Sequence, residues 1–418
     1  MTFFAYHAGE LYAEQVPLSR VAQQVGTPAY VYSRAAIENQ WRALDDAFGD
    51  YPHTICYAVK ANSNIAILNL LARLGSGFDI VSEGELRRVL AAGGDPSKVV
   101  YSGVAKSVHE LEFALKSNVR SINIESVAEL HRLQAVAASL GVTASIAIRV
   151  NPDVDPETHP YISTGMEKAK FGVTMEAAFE AYKLAHTMPN IEVHGIACHI
   201  GSQITKTSPF TDALEIVLNM VKRLAQAGIQ IQQLDLGGGL GINYQGETPP
   251  AADEYVQAMI AGVAAHGIDL PIAIEPGRYI AGNSGVMLTT VEYTKHNTSK
   301  NFAIVDAGMN DLMRPALYQA HHEIIPVRTD SSAEPVSYDV VGPVCESADV
   351  LGYERELALQ SGDLLAVCSA GAYSFAMSNN YNSRTRPPEV MVDGDQIHVI
   401  RRRETFDQLI QGERQLPD

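Results

Sequence analysis

The sequence is poor in cysteine and has no cluster of positive charge. Its 418 residues include four cysteines, which lie far apart and form no CxxC pair: Cys56, Cys198, Cys345 and Cys368. This spacing argues against a disulfide framework or a metal cluster and is more typical of a reducing compartment. The formal net charge is −17, and no run of Lys or Arg stands out. Nucleic acid and anionic membranes, which bind positive surfaces, are therefore not expected as partners.

Long apolar segments are also missing. No apolar run approaches the roughly 18 residues that a membrane-spanning helix requires. The N-terminal segment contains Glu10 and Glu14 and lacks the basic-then-apolar pattern of a secretory signal. The hydrophobic content of 46% is nevertheless enough for large cores, and the length favours two domains. We therefore expect a soluble, cytoplasmic protein.

What the sequence does contain is an alternation of short apolar strands and amphipathic helices, which begins near residue 35 and ends near residue 280. In the helices, apolar residues recur three or four positions apart, as in Leu86–Leu90 and Ala128–Leu133. The alternation predicts an α/β fold, a (β/α)8 barrel, with a doubly wound open sheet as the competing interpretation. The predicted strands are Cys56–Lys60, Phe78–Ser82, Val99–Ser102, Ser121–Glu125, Ser145–Val150, Val193–His199, Gln233–Leu236 and Ile272–Glu275.

The pattern changes after about residue 280, where strands are joined by loops rather than by long helices. We assign residues 27–280 to the barrel and predict a mostly β second domain over residues 281–418, with a contribution from residues 1–26. The strands predicted in the second domain are Val286–Tyr293, Phe302–Asp306, Tyr338–Val341, Leu364–Cys368 and Gln396–Arg401.

Polar residues occur at the ends of the predicted barrel strands, and in a barrel these ends meet at one mouth. The set contains an amine, two acids, an imidazole and a guanidinium group: Lys60, Asp79, Glu275, His199 and Arg149. Lys60 ends an apolar strand, where burial disfavours the charged amine. It is either a lysine whose amine reaches solvent or a desolvated nucleophile that can form a Schiff base.

Two further segments are candidates for binding a phosphorylated ring. The turn Gly237–Gly239 follows a predicted strand and lets backbone N–H groups approach a phosphate, although it completes neither a GxGxxG nor a P-loop motif. A tight structural turn is the alternative. In the segment His199–Ser202, the imidazole can stack on a ring and the hydroxyl can bind phosphate, although a strand-end histidine is also a common structural residue.

Acidic and thiol groups complete the candidates. Glu275 opens the segment Glu275–Arg278, and a carboxylate here can keep a pyridine nitrogen protonated, which makes the ring an electron sink. A structural ion pair with Arg278 is the alternative. In the second domain, the thiol of Cys345 is a possible proton donor, and the carboxylate of Glu346 is a possible ligand for an ammonium group.

Together these segments resemble the alanine racemase-like pyridoxal-phosphate enzymes, and within them the group of diaminopimelate, ornithine and arginine decarboxylases. The resemblance runs over nearly the whole chain, and its six motifs occur in the family's order. The motifs are Tyr57–Asn62, His199–Ser202, Gly237–Gly239, Glu275–Arg278, Cys345–Glu346 and Gly371–Tyr373. One such match would be weak evidence for the family, whereas six matches in the correct order are strong evidence.

The resemblance implies that the cofactor is pyridoxal 5′-phosphate. It implies that Lys60 holds the cofactor covalently, that His199 stacks on its ring, and that Glu275 pairs with the pyridinium nitrogen. It also implies that Cys345 donates a proton after carbon dioxide leaves. The other implied cofactor-binding residues, most of them around the phosphate, are Asp79, Ser202, Gly237, Gly238, Gly239, Pro276, Gly277, Arg278 and Tyr373. In this family the loop that corresponds to Cys345–Glu346 enters the neighbouring subunit's site, so the resemblance implies a homodimer with shared active sites.

The resemblance also implies a substrate. Met309–Tyr318 and the pair of segments His159–Gly165 and Lys170–Gly172 are similar to stretches of the diaminopimelate-specific branch. The implied reaction converts meso-2,6-diaminopimelate to L-lysine. Arginine can hold the distal carboxylate of this substrate by forked hydrogen bonds, and ornithine has no such carboxylate. The implied substrate-binding residues are Arg278, Arg314, Tyr318, Glu346 and Tyr373.

Three alternatives remain from the sequence. The first is a decarboxylase for another diamine precursor, and the second is an amino-acid racemase on the same scaffold, which would need no arginines for a distal carboxylate. The third is a non-catalytic pyridoxal-phosphate-binding protein, which would need neither Cys345 nor Glu346. Carbon dioxide release from different amino acids tests the first alternative, and racemase assays separate the second from the third.

Overall fold

The computed structural model describes residues 3–155 and 170–417, and its internal contacts divide the chain into two units. The first, called the barrel unit below, comprises Gln40–Ile242 and Glu247–Tyr279. The second, called the β unit, comprises Met1–Asn39, Asn243–Gly246 and Ile280–Asp418. The β unit is therefore assembled from both ends of the chain.

The N-terminal elements belong to the β unit. They are β1 (Phe4–His7), β2 (Glu10–Ala13), β3 (Val16–Pro17), α1 (Leu18–Val25) and β4 (Ala29–Ser33). The first three strands form a small antiparallel sheet. Leu11, Leu18 and Val21 are buried in one apolar cluster with Val286 and Val390. Burial of this apolar surface fixes the N-terminal segment to its own unit.

In the barrel unit, eight parallel strands close into a ring. In chain order the strands of this sheet are β5 (His53–Ala58), β6 (Gly77–Ile80), β7 (Val99–Tyr101), β8 (Ser121–Ile124), β9 (Ala144–Asn151), the short β10 (Val173–Thr174) beside the end of β9, β11 (Ile191–Cys198), β12 (Gln233–Asp235) and β13 (Ile272–Ile274). Pairing of β13 with β5 and of β8 with β9 closes the ring. This confirms the predicted (β/α)8 barrel and excludes the open doubly wound sheet.

Helices alternate with these strands. They are α2 (Arg34–Phe48), α3 (Ile65–Arg73), α4 (Glu83–Ala91), α5 (Val108–Lys116), α6 (Val127–Leu140), α7 (Met175–Thr187), α8 (Ser208–Gln226) and α9 (Ala252–Ala265). Ser82, Ser107 and Ser126 cap three of them, because each hydroxyl accepts from the backbone N–H three residues later. The caps begin these helices soon after a strand ends and keep the intervening loops short.

The β unit contains a second sheet. Its remaining elements are α10 (Arg278–Ala281), which spans the unit boundary, β14 (Gly285–His296), β15 (Asn301–Val305), α11 (Arg314–Tyr318), β16 (Ile324–Pro326), β17 (Val336–Val341), β18 (Val350–Leu357), β19 (Leu364–Val367), β20 (Glu389–Asp393), β21 (Gln396–Arg401) and α12 (Phe406–Ile410). The sheet order is β18-β17-β15-β14-β4-β20-β21, and β19 pairs with both β14 and β16. The mostly β character predicted for this part of the chain is confirmed.

One predicted boundary differs from the structure. The barrel was expected to begin at residue 27, but Ala29–Ser33 pairs antiparallel with β14 and parallel with β20 in the β unit. All five residues of this strand are buried. A short, fully buried apolar run is compatible with either sheet, so its partners cannot be read from the segment itself.

Two further properties follow from the described residues. No helix in residues 3–155 or 170–417 is long and apolar enough to cross a membrane. The four cysteine thiols are free, with Cys56 and Cys198 buried and Cys345 exposed.

Candidate active site

Lys60 lies just beyond the first barrel strand rather than within it. The strand β5 ends at Ala58, and Val59–Ala61 forms a short 3₁₀ turn, so the predicted strand extends two residues too far. Lys60 Nζ donates to Asp79 Oδ2 at 2.6 Å. The Asp79 side chain is fully buried, whereas that of Lys60 is 35% exposed. The turn therefore directs the amine to a buried carboxylate. Lys60 is neither fully exposed to solvent nor without an ionic partner.

Glu275 follows β13 and is buried among other carboxyl groups. Burial raises the pKa of Glu275 well above its usual value, and the nearby carboxylates of Asp235 and Asp79 raise it further. Burial also raises the pKa of Asp235, whose Oδ1 accepts from the Gly237 N–H at 3.0 Å. Within the described residues, Glu275 Oε1 is buried without a hydrogen-bond partner. An N–H donor or a cation at this oxygen would stabilise the ionised carboxylate.

His199 presents a neutral ring at the end of β11. The Gly238 N–H donates to His199 Nδ1 at 3.1 Å, so this nitrogen carries no proton. Burial lowers the pKa of His199 well below its usual value, and the positive charges of Arg149 and Lys60 lower it further. The result is a flat, uncharged imidazole that is suited to stacking on an aromatic ring.

The glycine-rich turn is defined by close backbone contacts. A Cβ on Gly237 would lie 2.4 Å from the carbonyl oxygen of Cys198, and one on Gly238 would lie 2.1 Å from that of Glu275. Gly237 and Gly239 also have positive φ angles of 65° and 123°, which favour glycine. The three glycines therefore let the turn pack against neighbouring strand ends, where any side chain would clash.

Ser202 and Arg278 form a polar pair in the barrel unit. The buried Arg278 donates from Nε and Nη2 to Ser202 Oγ, at 3.2 and 3.0 Å. The N–H groups of Gly237 and Gly238 already have acceptors. A phosphate at the glycine turn would therefore depend more on the Ser202–Arg278 pair than on these two N–H groups. Both sets of residues could be selected from the sequence but not ranked.

A cavity of about 420 Å³ opens among these residues. Lys60, His199, Glu275, Arg149 and Phe171 all contribute to its walls. It combines an amine that can hold an aldehyde, a neutral ring that can stack, and an unpartnered buried carboxylate oxygen that can accept from a ring N–H. Pyridoxal 5′-phosphate, the cofactor implied by the sequence resemblance, therefore fits this site.

A buried ion-pair network lies beside the cavity, and Arg149 is the one member selected from the sequence. The Lys106 side chain is 1% exposed, and its Nζ donates to Glu129 Oε1 at 2.6 Å. Arg149 Nη1 donates to Glu125 Oε1 at 3.0 Å, and Glu125 also accepts from the Gly172 N–H at 2.6 Å. Glu125 directly follows β8, so the strand-end rule could have found it, whereas Lys106 lies in a loop without such a signal.

The predicted substrate residues Arg314 and Tyr318 occupy the two ends of α11 in the β unit. Arg314 is buried, and its guanidinium Nη1 lies 2.8 Å from His322 Nε2. Tyr318 is partly buried. His322 could not be selected from the sequence, because it lies neither at the end of a predicted barrel strand nor in one of the six motifs.

Cys345 and Glu346 lie on an exposed loop between β17 and β18. Asp349 anchors this loop, because its Oδ2 accepts from the Val344 N–H and its Oδ1 accepts from the Met309 N–H, both at 2.6 Å. The backbone N–H of Cys345 donates to Asn382 Oδ1 at 2.7 Å. The loop therefore has a fixed base and exposed thiol and carboxylate groups.

Tyr373 belongs to the last predicted motif and has an unusual backbone conformation. Its φ is 56°, and its side chain is partly buried. Nearby, a Cβ on Gly371 would lie 1.8 Å from the Ala281 carbonyl oxygen, so only glycine fits.

The predicted segment His159–Gly165 lies outside the described residues. Phe171, which follows it, packs with its ring centroid 4.8 Å from Arg149 Cζ.

The family comparison covers the barrel. Residues 34–282 match the model for the pyridoxal-dependent decarboxylases, pyridoxal binding domain. This range contains the strands, the glycine turn and the cavity described above.

Whole-chain comparisons extend over both units. The chain is 57% identical to the diaminopimelate decarboxylase of Vibrio cholerae and to that of Pseudomonas aeruginosa, with 100% of both chains covered in each case. Among solved structures, the diaminopimelate decarboxylase of Helicobacter pylori complexed with L-lysine matches with a TM-score of 0.91 and 42% identity, covering 94% of this chain and 98% of that one. The enzyme of M. jannaschii in complex with L-lysine matches with a TM-score of 0.94 and 37% identity, covering 99% and 98%.

Proposed function

Because this chain belongs to the diaminopimelate decarboxylase family of pyridoxal-dependent decarboxylases, we propose residue roles and an assembly for the activity of that family. The chain decarboxylates meso-2,6-diaminopimelate to L-lysine and carbon dioxide with pyridoxal 5′-phosphate, the last step of lysine biosynthesis by the diaminopimelate pathway. The observation that carries this conclusion is the 57% identity over the full length of the relatives.

The cofactor would be held at the barrel mouth. When bound, pyridoxal 5′-phosphate withdraws electrons from the carbon that loses carbon dioxide. Lys60 would hold it through Nζ, and Asp79 Oδ2, 2.6 Å from this amine, would keep the amine oriented and exchange a proton with it. Glu275 Oε1 would accept from the ring N–H, and His199 would pack on the ring face. Glu275 Oε1 is buried and has no hydrogen-bond partner among residues 3–155 and 170–417, which supports its role.

The phosphate would lie against the glycine turn. Ser202 and Arg278 would supply a hydroxyl and a guanidinium group, and their mutual hydrogen bonds support a common ligand. The backbone of Gly237–Gly239 and Pro276–Gly277 would approach closely, because side chains are absent from the glycines. Tyr373 would add its phenol hydroxyl.

The unreacted end of the substrate carries a carboxylate and an ammonium group. We assign the carboxylate to the guanidinium groups of Arg314 and Arg278 and to the hydroxyl groups of Tyr318 and Tyr373. Glu346 would bind the ammonium group. A diamine precursor has no distal carboxylate to bind these guanidinium groups, which discriminates against it.

Cys345 would donate the proton that replaces carbon dioxide. The Cys345→Ala variant should therefore decarboxylate slowly and still bind pyridoxal 5′-phosphate. Unchanged turnover in that variant would remove this role from the thiol. Unchanged cofactor absorbance with slow turnover would support it.

We propose a homodimer in which the Cys345–Glu346 loop of one subunit completes the site of the other. The exposure of both side chains in the single chain, on a loop with an anchored base, supports this assembly. A cytoplasmic location is also proposed, because the four cysteines are free thiols and a reducing compartment maintains that state.

The function is tested by carbon dioxide release from protein loaded with pyridoxal 5′-phosphate. Wild type is assayed separately with meso-diaminopimelate, L-ornithine, L-arginine and L-lysine, and products are identified by chromatography. We expect release from meso-diaminopimelate, with L-lysine as product, and none from the others. Lys60→Ala should lose turnover and the absorbance of the covalently held cofactor, and a variant that kept both would overturn the role of Lys60.

A further inference from the structure

The guanidinium group of Arg314 contacts a histidine, His322, to which no role is assigned above. His322 is fully buried, and its Nε2 lies 2.8 Å from Arg314 Nη1. A guanidinium group has only N–H donors, so His322 Nε2 must be the acceptor in this contact. The histidine therefore meets the arginine with a lone pair and without a positive charge.

A second hydrogen bond fixes this tautomer. His322 Nδ1 lies 2.8 Å from the carbonyl oxygen of Cys368, which can only accept. The proton of the imidazole is therefore on Nδ1, and the lone pair on Nε2 faces Arg314. A backbone carbonyl thus sets the orientation of the ring, and the ring in turn holds one nitrogen of the guanidinium.

Tyr244 restricts the same guanidinium from another direction. Arg314 Cζ lies 4.5 Å from the Tyr244 ring centroid, and the rings of Tyr244 and His322 meet edge to face with centroids 5.4 Å apart. Arg355 Nη2 also donates to the His322 carbonyl oxygen at 3.1 Å, which holds the backbone of the histidine. The long arginine side chain is therefore ordered before any ligand arrives, which reduces the entropy lost on binding.

We propose that His322 is a positioning residue for substrate recognition, which orients Arg314 toward the distal carboxylate of meso-diaminopimelate. This inference depends on the proposed role of Arg314. His322 itself does not contact the substrate in this proposal. Its loss should weaken binding of ligands that carry the retained carboxylate, with little effect on the chemical step.

Two substitutions separate the contacts of His322. In His322→Gln, the side-chain amide reaches the position of Nε2 and can still accept from Arg314. In His322→Asn, the shorter amide reaches the position of Nδ1 and keeps only the contact with the Cys368 carbonyl. Both variants place a smaller polar group in the same space, so a general loss of packing affects them similarly.

The experiment measures kcat, the KM for meso-diaminopimelate and the inhibition constants of L-lysine and cadaverine, using the holoenzyme. L-Lysine retains the distal carboxylate, and cadaverine (1,5-diaminopentane) has none. We expect His322→Asn to raise the KM and the L-lysine inhibition constant about tenfold, the loss of one hydrogen bond to a charged group. The cadaverine constant and kcat should change less than about threefold, and His322→Gln should remain near wild type.

A double-mutant cycle with Arg314→Met distinguishes this inference from the proposed role of Arg314. If Arg314→Met leaves the KM and the L-lysine constant unchanged, the role of Arg314 itself is wrong and the inference falls with it. If Arg314→Met raises both constants but His322→Asn does not, only the inference is wrong. Equal effects of His322→Asn on L-lysine and cadaverine, or effects that add fully in the double variant, also overturn it. His398 is exposed, so His398→Gln controls for the loss of a histidine as such. The melting temperature and the bound cofactor are measured for every variant.

Discussion

Gly238 lies where the barrel mouth has no room for a side chain. An added Cβ would meet the Glu275 carbonyl oxygen at 2.1 Å, so Gly238→Ala must displace either the turn or the backbone of Glu275. We expect the dissociation constant for pyridoxal 5′-phosphate to rise at least about tenfold. Titration of the apoprotein, followed by cofactor absorbance, measures this change.

The matched control is Gly84→Ala in α4. The nearest atom to a Cβ there is Ser82 Oγ at 3.7 Å, an ordinary contact. Its cofactor affinity should equal that of wild type. If Gly238→Ala also bound the cofactor like wild type, the close packing of the turn would have no bearing on the site.

Asp311 provides a prediction of pH dependence. Its side chain is buried, and burial raises the pKa of Asp311 to about 7. The unfolded chain releases this proton near pH 4, whereas the folded protein keeps it until near pH 7. The folded state therefore binds more protons between these values, and this carboxyl makes the protein less stable as the pH rises through that window.

The Asp311→Asn variant should remove this dependence. It keeps an oxygen to accept from the Gly308 N–H, a contact of 3.0 Å in the wild type. Its melting temperature relative to wild type should therefore increase from pH 5 to pH 7 and then level off. Calorimetry at pH 5, 7 and 8.5 tests this, and a difference that stays constant across the three values would contradict the assignment.

At the scale of elements, the side chain of Asp349 anchors the loop between β17 and β18. Asp349 accepts from the N–H groups of Val344 and Met309. Asp349→Ala removes the acceptor from both N–H groups and should let the loop move. We expect turnover to fall at least about tenfold and the thiol of Cys345 to react faster with a thiol reagent. Cofactor binding in the barrel should remain.

The comparison for this prediction is Asp395→Ala, in an exposed turn of the β unit. It removes the same charge and should change neither turnover nor thiol reactivity. If other contacts hold the loop, Asp349→Ala will also keep wild-type turnover and thiol reactivity. That result would exclude Asp349 as the anchor.

The elements also show which kinds of information the sequence contains. The alternation of strands and helices predicts the barrel, because apolar period and length are local properties. Asp79 and Glu275 could be selected because Asp79 lies near the end of β6 and Glu275 directly follows β13. The structure places both in the buried group around Lys60. Two features could not be predicted. The position of β4 depends on pairing with β14, which is distant in the sequence, and the contact of His322 with Arg314 corresponds to no local sequence pattern.

At the scale of the whole molecule, the proposed dimer places Lys60 and Cys345 of one active site on different chains. A heterodimer of one Lys60→Ala chain and one Cys345→Ala chain, purified through two different tags, would then contain one site with both residues and one with neither. We expect about half of the wild-type activity per dimer. If each chain built its own site, both sites would be defective and the heterodimer would show little activity.

A reciprocal heterodimer gives the opposite result and therefore a strict control. One chain carries both Lys60→Ala and Cys345→Ala, and the other is wild type. With shared sites, every site lacks one of the two residues, so activity should nearly vanish. With separate sites, the wild-type chain would keep about half of the activity. Because both preparations contain the same substitutions in the same number, only their distribution between chains can explain a difference.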